Sequence, residues 1–115
     1  MNIVICDDHE SDALASKEVI KQTAQELHIK TEFDIYSNAA EVERKLLVKK
    51  EPVDILILDI DMPEISGLEL AERLRAENLN LIIIFCRHMK NLYSKQLNFS
   101  RSDTYEKSGL KLKRL

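Results

Sequence analysis

Cysteine, tryptophan and long apolar runs are scarce in this sequence of 115 residues. It has no tryptophan and two cysteines, Cys6 and Cys86, each of which ends an apolar run. That placement is typical of buried free thiols, and it argues against a disulfide or a metal site built on cysteine. The longest uncharged apolar stretch, residues 81–86, is far shorter than the roughly 20 residues of a membrane helix. Since the start also lacks a signal-peptide pattern, we expect a cytoplasmic protein that does not bind membranes.

The charged residues are distributed unevenly along the chain. The composition, with 44% hydrophobic and 32% charged residues, is that of a single globular domain with a formal net charge of −3. Residues 1–85 carry nine basic and 18 acidic side chains, whereas residues 86–115 carry eight basic and two acidic ones. Alanine, valine and isoleucine are absent after residue 86. We therefore expect a domain core over residues 1–86, an atypical basic tail over 87–115, and no output domain.

Apolar runs alternate with helical patterns through the core. Three largely apolar runs are typical of strands buried on both faces of a parallel sheet: residues 2–6, 53–59 and 81–86. Residues 31–36 alternate as expected for a half-exposed edge strand. Apolar residues at helical spacing predict helices that begin near residues 11, 38 and 67. Regular alternation with short connections predicts an α/β fold, in which helices cover both faces of a parallel sheet.

Short-range signals mark the helix ends and one tight contact. Asn38 and Ser66 are expected to cap the second and third helices. Leu27 is predicted to pack inward at the end of the first helix. Gly67 is expected to permit close approach of the backbone at the start of the third helix. The three histidines, His9, His28 and His88, lack the spacing of metal ligands, and we interpret them as exposed or locally packed residues.

Three carboxylates follow the predicted central strands. Asp7 and Asp8 come directly after the first strand, and Asp59 ends the third. Because ligands bind outside the carboxyl ends of such strands, we expect these side chains to share one crevice. Two carboxylates about 4 Å apart repel by roughly 4 kcal/mol at an effective dielectric constant near 20, and a divalent cation relieves this cost. Oxygen ligands with open positions favour Mg²⁺, although any one of these acids alone would be interpreted as a solvated loop residue.

Two segments resemble the receiver domain of bacterial two-component response regulators. The first reads ICDD from Ile5, and the second reads LDIDMPEISGLELAERLR from Leu58. They are most similar to the subfamily whose receivers precede LytTR-type DNA-binding domains. The resemblance covers residues 1–85, and it implies a flavodoxin-like sheet with strand order 2-1-3-4-5. It also implies a non-enzymatic signalling module whose partner is a sensor histidine kinase, with a second copy of the chain as a further candidate partner and no direct DNA binding.

The same resemblance implies a role for each carboxylate. Asp59 corresponds to the phosphoacceptor, and its carboxylate also belongs to the expected metal site. Asp8 would bind Mg²⁺ directly, Asp7 would bind it through water, and the backbone carbonyl of Asp61 would complete the metal site. A carboxylate that attacks a phosphoryl group, next to a cation that neutralises its charge, is consistent with that assignment.

The basic tail departs from the family pattern. Arg87 occupies the place of a serine or threonine, and arginine can only donate hydrogen bonds. Lys107 lies at the distance expected for the family's lysine, but Ser108 replaces the following proline and no apolar fifth strand precedes it. A reading frame shifted within the codon of Cys86 permits a more typical receiver ending. We therefore interpret the chain as truncated or frame-shifted after residue 86, and the family's fifth strand and last helix are not predicted from the tail.

Two other functions remain open. One is a receiver-like interaction module that no longer switches. The other is a fragment of a haloacid-dehalogenase-like phosphotransferase, since Asp59-Ile60-Asp61 follows a hydrophobic strand, but the chain is short and that strand is the third rather than the first. A calcium loop is disfavoured because Glu64 lies where the loop needs glycine.

Overall fold

A five-stranded sheet forms the centre of the molecule in the computed structural model, which describes residues 1–77, 79–87 and 110–114. The strands are β1 (Asn2–Cys6), β2 (Glu32–Tyr36), β3 (Ile55–Asp59), β4 (Ile82–Cys86) and β5 (Leu110–Arg114). Their order is β2-β1-β3-β4-β5, and the first four are parallel. The predicted α/β fold is therefore confirmed, and so is the strand order 2-1-3-4 for the four parallel strands.

β5 differs from the parallel sheet expected from the sequence. It pairs antiparallel to β4, with Cys86 opposite Leu110 and Ile82 opposite Arg114. The end of β4 and the start of β5 thus lie at the same end of the sheet. A parallel strand would instead need a crossover connection back to the opposite end. The signal available in the sequence was the alternation of leucine with basic residues over Leu110–Arg114, which has the period of a strand. The family's last helix would fall in the tail, outside the described residues.

Helices cover both faces of the sheet. They are α1 (Glu10–Glu26), α2 (Ala39–Glu43), which continues as a π-helical stretch (Arg44–Val48), and α3 (Gly67–Ala76). Alternate strand residues supply two apolar clusters. One packs against α2 and α3 and includes Leu56, Leu58, Leu70 and Leu74. The other packs against α1 and includes Ile3, Ile5, Ala13 and Ile57. Among the described residues, no helix is long and apolar enough to cross a membrane.

The predicted caps are present at two helices. Asn38 Oδ1 accepts a hydrogen bond from the Glu41 N–H at 3.0 Å, and Ser66 Oγ accepts one from the Glu69 N–H at 3.2 Å. The prediction for Leu27 was wrong, because α1 ends at Glu26 and the Leu27 side chain is 63% exposed. The chain then turns toward β2, so Leu27 lies outside the core.

Lys45 joins the π-helical stretch to β2 and to the segment that precedes β3. Its side chain is buried, and its ammonium donates to Asp34 Oδ2 at 2.9 Å and to Glu51 Oε1 at 3.2 Å. The hydrogen bond to Asp34 raises the pKa of Lys45 above its ordinary value, although burial opposes that shift. The lysine is therefore charged in the folded protein and stabilises this junction.

Candidate functional site

Four side chains, three of them consecutive in the sequence, converge at the carboxyl ends of β1 and β3. Asp7, Asp8, His9 and Asp59 each offer one ligand atom, and these atoms all lie within 4.8 Å of one another. The register of the sheet explains the convergence. Cys6 is paired with Leu58, so the residues that follow them, Asp7 and Asp59, lie side by side at the same edge. The structure thus brings together the three carboxylates that the sequence places after these strands.

Burial makes this cluster electrostatically costly. Asp7 is 3% exposed and Asp59 is 1% exposed, whereas the side chain of Asp8 is 22% exposed. Two negative charges 4.8 Å apart repel by about 3.5 kcal/mol at an effective dielectric constant near 20. Three carboxylates and an imidazole within this distance suit a divalent cation, which would offset the repulsion. The residues present therefore fit the metal that the resemblance implies.

Backbone groups hold the two buried carboxylates in place. Asp7 Oδ1 accepts a hydrogen bond from the His9 N–H at 2.9 Å, and Asp59 Oδ1 accepts one from the Asp61 N–H at 3.2 Å. The N–H of Asp7 donates to the carbonyl of Tyr36 at 3.0 Å, which fixes the end of β1 against β2. Because these donors belong to the backbone, each carboxylate is oriented by the course of the loop that follows its strand.

The loop between β3 and α3 is tied closely to Asp59. The N–H of Gly67 donates to the carbonyl of Ile60 at 3.0 Å, and a Cβ on Gly67 would overlap the backbone carbonyl of Asp59. The expectation that glycine permits close approach here is confirmed. The Ile65 N–H donates to the Pro63 carbonyl at 2.8 Å across Glu64, whose φ of 67° is unusual for a residue with a side chain. This loop is a tight turn packed against the site.

Both cysteines are buried and free, as expected. Cys6 Sγ lies 3.6 Å from Met62 Sδ, and Cys86 Sγ lies 3.9 Å from Ser16 Oγ. Burial, followed by the nearby charges of Asp7 and Asp59, raises the pKa of Cys6 to about 12. The thiol of Cys6 is therefore neutral near pH 7 and acts as a small core side chain.

His9 is the member of the cluster that the sequence analysis missed. Its Nδ1 lies 2.9 Å from Asp8 Oδ1 and 3.8 Å from Asp7 Oδ1. The interpretation of His9 as an exposed residue is confirmed, since its side chain is 45% exposed, but its nearness to the carboxylates was not predicted. The spacing of the three histidines gives no signal for this contact, because the partners of His9 are the two preceding aspartates.

The structure describes one of the two tail residues that the family pattern singles out. Arg87 follows β4 directly and is exposed, in the place where the resemblance expects a small hydroxyl. Lys107 and His88 lie outside the described residues. Asp61, the proposed carbonyl ligand, is exposed and is linked to the site by the hydrogen bond from its N–H to Asp59.

Comparison with known families agrees with this fold. The model of the response regulator receiver domain family matches residues 3–107 of the chain. The chain belongs to this family. The match extends beyond residue 85, where the resemblance described from the sequence ends. The protein is thus the receiver domain of a response regulator.

Two known proteins are similar to this receiver domain. The transcriptional regulatory protein NatR of Bacillus subtilis is 31% identical over 85 residues, which are 74% of this chain and 34% of NatR. The chain therefore spans about a third of the length of that curated relative. A structure of the MaeR response regulator bound to beryllium trifluoride aligns with a TM-score of 0.57 and 18% identity, over 93% of this chain and 84% of that one. At this identity the likeness supports the fold.

Proposed function

We propose that Asp59 is the phosphoacceptor of this receiver domain and that a sensor histidine kinase is its phosphodonor. The observation that carries the proposal is the convergence of Asp59 with Asp7 and Asp8, all with a ligand atom within 4.8 Å of the others. Asp59 is the last residue of β3, and the N–H of Asp61 orients its carboxylate. A carboxylate held in this way is a preorganised nucleophile.

The proposed reaction transfers one phosphoryl group. A carboxylate oxygen of Asp59 forms a bond to phosphorus as the P–N bond of the kinase phosphohistidine breaks. The bonding electron pair returns to the imidazole of the kinase, and Asp59 becomes an acyl phosphate. The buried carboxylate of Asp7 and the more exposed one of Asp8 lie beside the nucleophile and do not themselves react.

Mg²⁺ is the proposed cofactor. Asp8 would bind it directly, Asp7 through water, and Asp61 through its backbone carbonyl. The ion supplies positive charge that offsets both the repulsion among the carboxylates and the charge of the incoming phosphoryl group. The burial of Asp7 and Asp59 supports this role, because the cation would reduce a cost that the folded protein otherwise bears.

The remaining assignments concern the protein as a whole. We propose a cytoplasmic, non-enzymatic signalling role, membership of the LytTR-type subfamily, and a second copy of the chain as a candidate partner. The sequence block that begins at Leu58 supports the subfamily. Lys107 remains the candidate for the family's lysine, and a truncated or frame-shifted ending remains our interpretation of the basic tail, in which DNA binding is not expected.

A receiver-like module that does not switch is the second candidate function. Arg87 favours it, because this exposed residue stands directly after β4 where the family pattern has a small hydroxyl. Its guanidinium has only donors and cannot act as that hydroxyl does. Such a module would bind its partner without responding to phosphorylation.

Phosphorylation of the purified chain tests these proposals. With acetyl phosphate and Mg²⁺, intact-mass measurement should show one added phosphoryl group in the wild type and none in Asp59→Asn. The matched control is Asp54→Asn, directly before the other end of the same strand, where the carboxylate accepts a hydrogen bond from the Asn2 N–H at 2.7 Å; it should be labelled normally. Labelling that survives in Asp59→Asn would refute the assignment. An unlabelled wild type would favour the interaction module, and sustained turnover would favour a phosphotransferase.

A further inference from the structure

His9 is placed among the carboxylates by its position at the start of α1. It is the N-cap of that helix, with extended backbone angles (φ −111°, ψ 112°), but its side chain makes no capping hydrogen bond. Instead, its N–H donates to Asp7 Oδ1 at 2.9 Å, and its ring nitrogen Nδ1 lies 2.9 Å from Asp8 Oδ1. The backbone hydrogen bond thus holds this residue beside the acidic cluster, and the ring contacts the carboxylate proposed to bind the metal directly.

The distance between His9 and Asp8 matches that between neighbouring ligands of one octahedral ion. With bonds of about 2.1 Å, neighbouring ligand atoms are about 3.0 Å apart. Nδ1 of His9 lies 2.9 Å from Asp8 Oδ1 at hydrogen-bond distance, and the two atoms could bind one ion once the metal replaces the proton between them. The full set spans 4.8 Å, so a small contraction is needed. The exposed fractions of His9 (45%) and Asp8 (22%) leave these two side chains room to move.

The chemistry of an imidazole ligand differs from that of a carboxylate. Mg²⁺ and Ca²⁺ prefer oxygen ligands, whereas imidazole nitrogen suits first-row transition ions. We propose that His9 is a direct metal ligand of this site, through Nδ1, and that it shifts the site's preference from Mg²⁺ toward divalent transition ions such as Mn²⁺ and Co²⁺. The inference rests on the proposed function, because it assumes that the cluster of Asp7, Asp8 and Asp59 holds the divalent cation.

Metal affinities of the whole chain test this role without any phosphorylation assay. Isothermal titration with Co²⁺ and with Mg²⁺ should show tighter Co²⁺ binding in the wild type. His9→Ala should weaken Co²⁺ binding about tenfold or more. Even the loss of a residue that only hydrogen-bonds to a metal ligand typically lowers metal affinity 10–100-fold. Mg²⁺ affinity should change much less. Pulsed electron paramagnetic resonance of bound Mn²⁺ should show coupling to a ¹⁴N nucleus that disappears in the variant.

The matched control is His28→Asn, which removes an exposed histidine far from the cluster in sequence. Residue 28 has φ 57°, a conformation that asparagine adopts readily. This variant should keep the Co²⁺ affinity and the nitrogen coupling of the wild type. Loss of the coupling in His28→Asn instead would overturn the assignment of His9.

The outcomes separate this inference from the proposed function. If Asp8→Ala abolishes Mg²⁺ binding while His9→Ala leaves every affinity and the Mn²⁺ spectrum unchanged, the ligand role of His9 is wrong and the proposed metal site stands. If the wild type binds neither ion, or if Asp8→Ala binds both as the wild type does, the metal part of the proposed function fails, and the role of His9 fails with it. Selective loss of Co²⁺ binding in His9→Ala supports both.

Discussion

Gly67 lies directly against the backbone carbonyl of Asp59, so closely that a Cβ at position 67 would overlap the carbonyl oxygen. The contact joins the first residue of α3 to the last residue of β3, and it places the start of the helix beside the proposed phosphoacceptor. The atoms nearest to such a Cβ all belong to the backbone, so no flexible side chain could move to make room for it. The glycine therefore sets the distance between the loop and the site.

The substitution Gly67→Ala should displace the β3–α3 loop. We expect a loss of about 1–3 kcal/mol in the free energy of unfolding, which is typical of overpacking a buried position. Labelling of Asp59 by acetyl phosphate should also slow, because its carboxylate is oriented by the same loop. Urea denaturation measures the first effect. Leu68→Ala, on the next and 51% exposed residue, is the control and should change stability by less than about 0.5 kcal/mol.

Mg²⁺ should stabilise the folded chain through the acidic cluster. A ligand that binds only the native state adds about 2.7 kcal/mol at a hundredfold excess over its dissociation constant. Thermal unfolding of the wild type should therefore shift upward with Mg²⁺. The shift should be absent in Asp8→Ala, which lacks the proposed direct ligand. Equal shifts in the two proteins would show that the ion acts elsewhere.

Lys45 should make stability depend on alkaline pH. Its folded-state pKa is raised, chiefly by the hydrogen bond to Asp34, so its contribution is complete below the ordinary lysine pKa of about 10.4 and is lost as pH rises through the folded value. Lys45→Met should cost about 1 kcal/mol at pH 7, a modest figure because the Asp34 and Glu51 carboxylates are exposed. The difference in urea stability between the two proteins should stay constant from pH 6 to 9 and shrink above pH 10.4. A difference that grows with pH would contradict the charged-pair account.

Removal of residues 110–115 should expose the edge of β4. The strand would lose its antiparallel partner, and about half of its amides would lose their hydrogen-bond acceptors. Hydrogen exchange measured by mass spectrometry should accelerate across Ile82–Cys86. Exchange across β1, which lies between β2 and β3, should be unchanged and serves as the internal control. Unaltered exchange in β4 would show that β5 does not protect this edge in solution.

Helix caps and hydrophobic patterns could be predicted from the sequence because they depend on residues that are close together in the chain. Asn38 and Ser66 cap their helices as expected, since a capping side chain needs only the N–H groups a few residues ahead. The α/β class could be inferred because apolar runs that alternate with helices restrict the sheet to few topologies, whereas the strand order was implied by the family resemblance. Leu27 was misplaced because the helical pattern continues past the residue at which α1 ends.

The sequence by itself determined the α/β class, the strand ends at which Asp7, Asp8 and Asp59 lie, and the need for glycine at position 67. Each of these follows from periodicity or from the restricted geometry of parallel strands. Only the tertiary structure decided that His9 joins the carboxylates, because the direction of its ring depends on the turn between β1 and α1. It also decided the antiparallel direction of β5, since a short alternating pattern is the same whichever way the strand runs beside its partner.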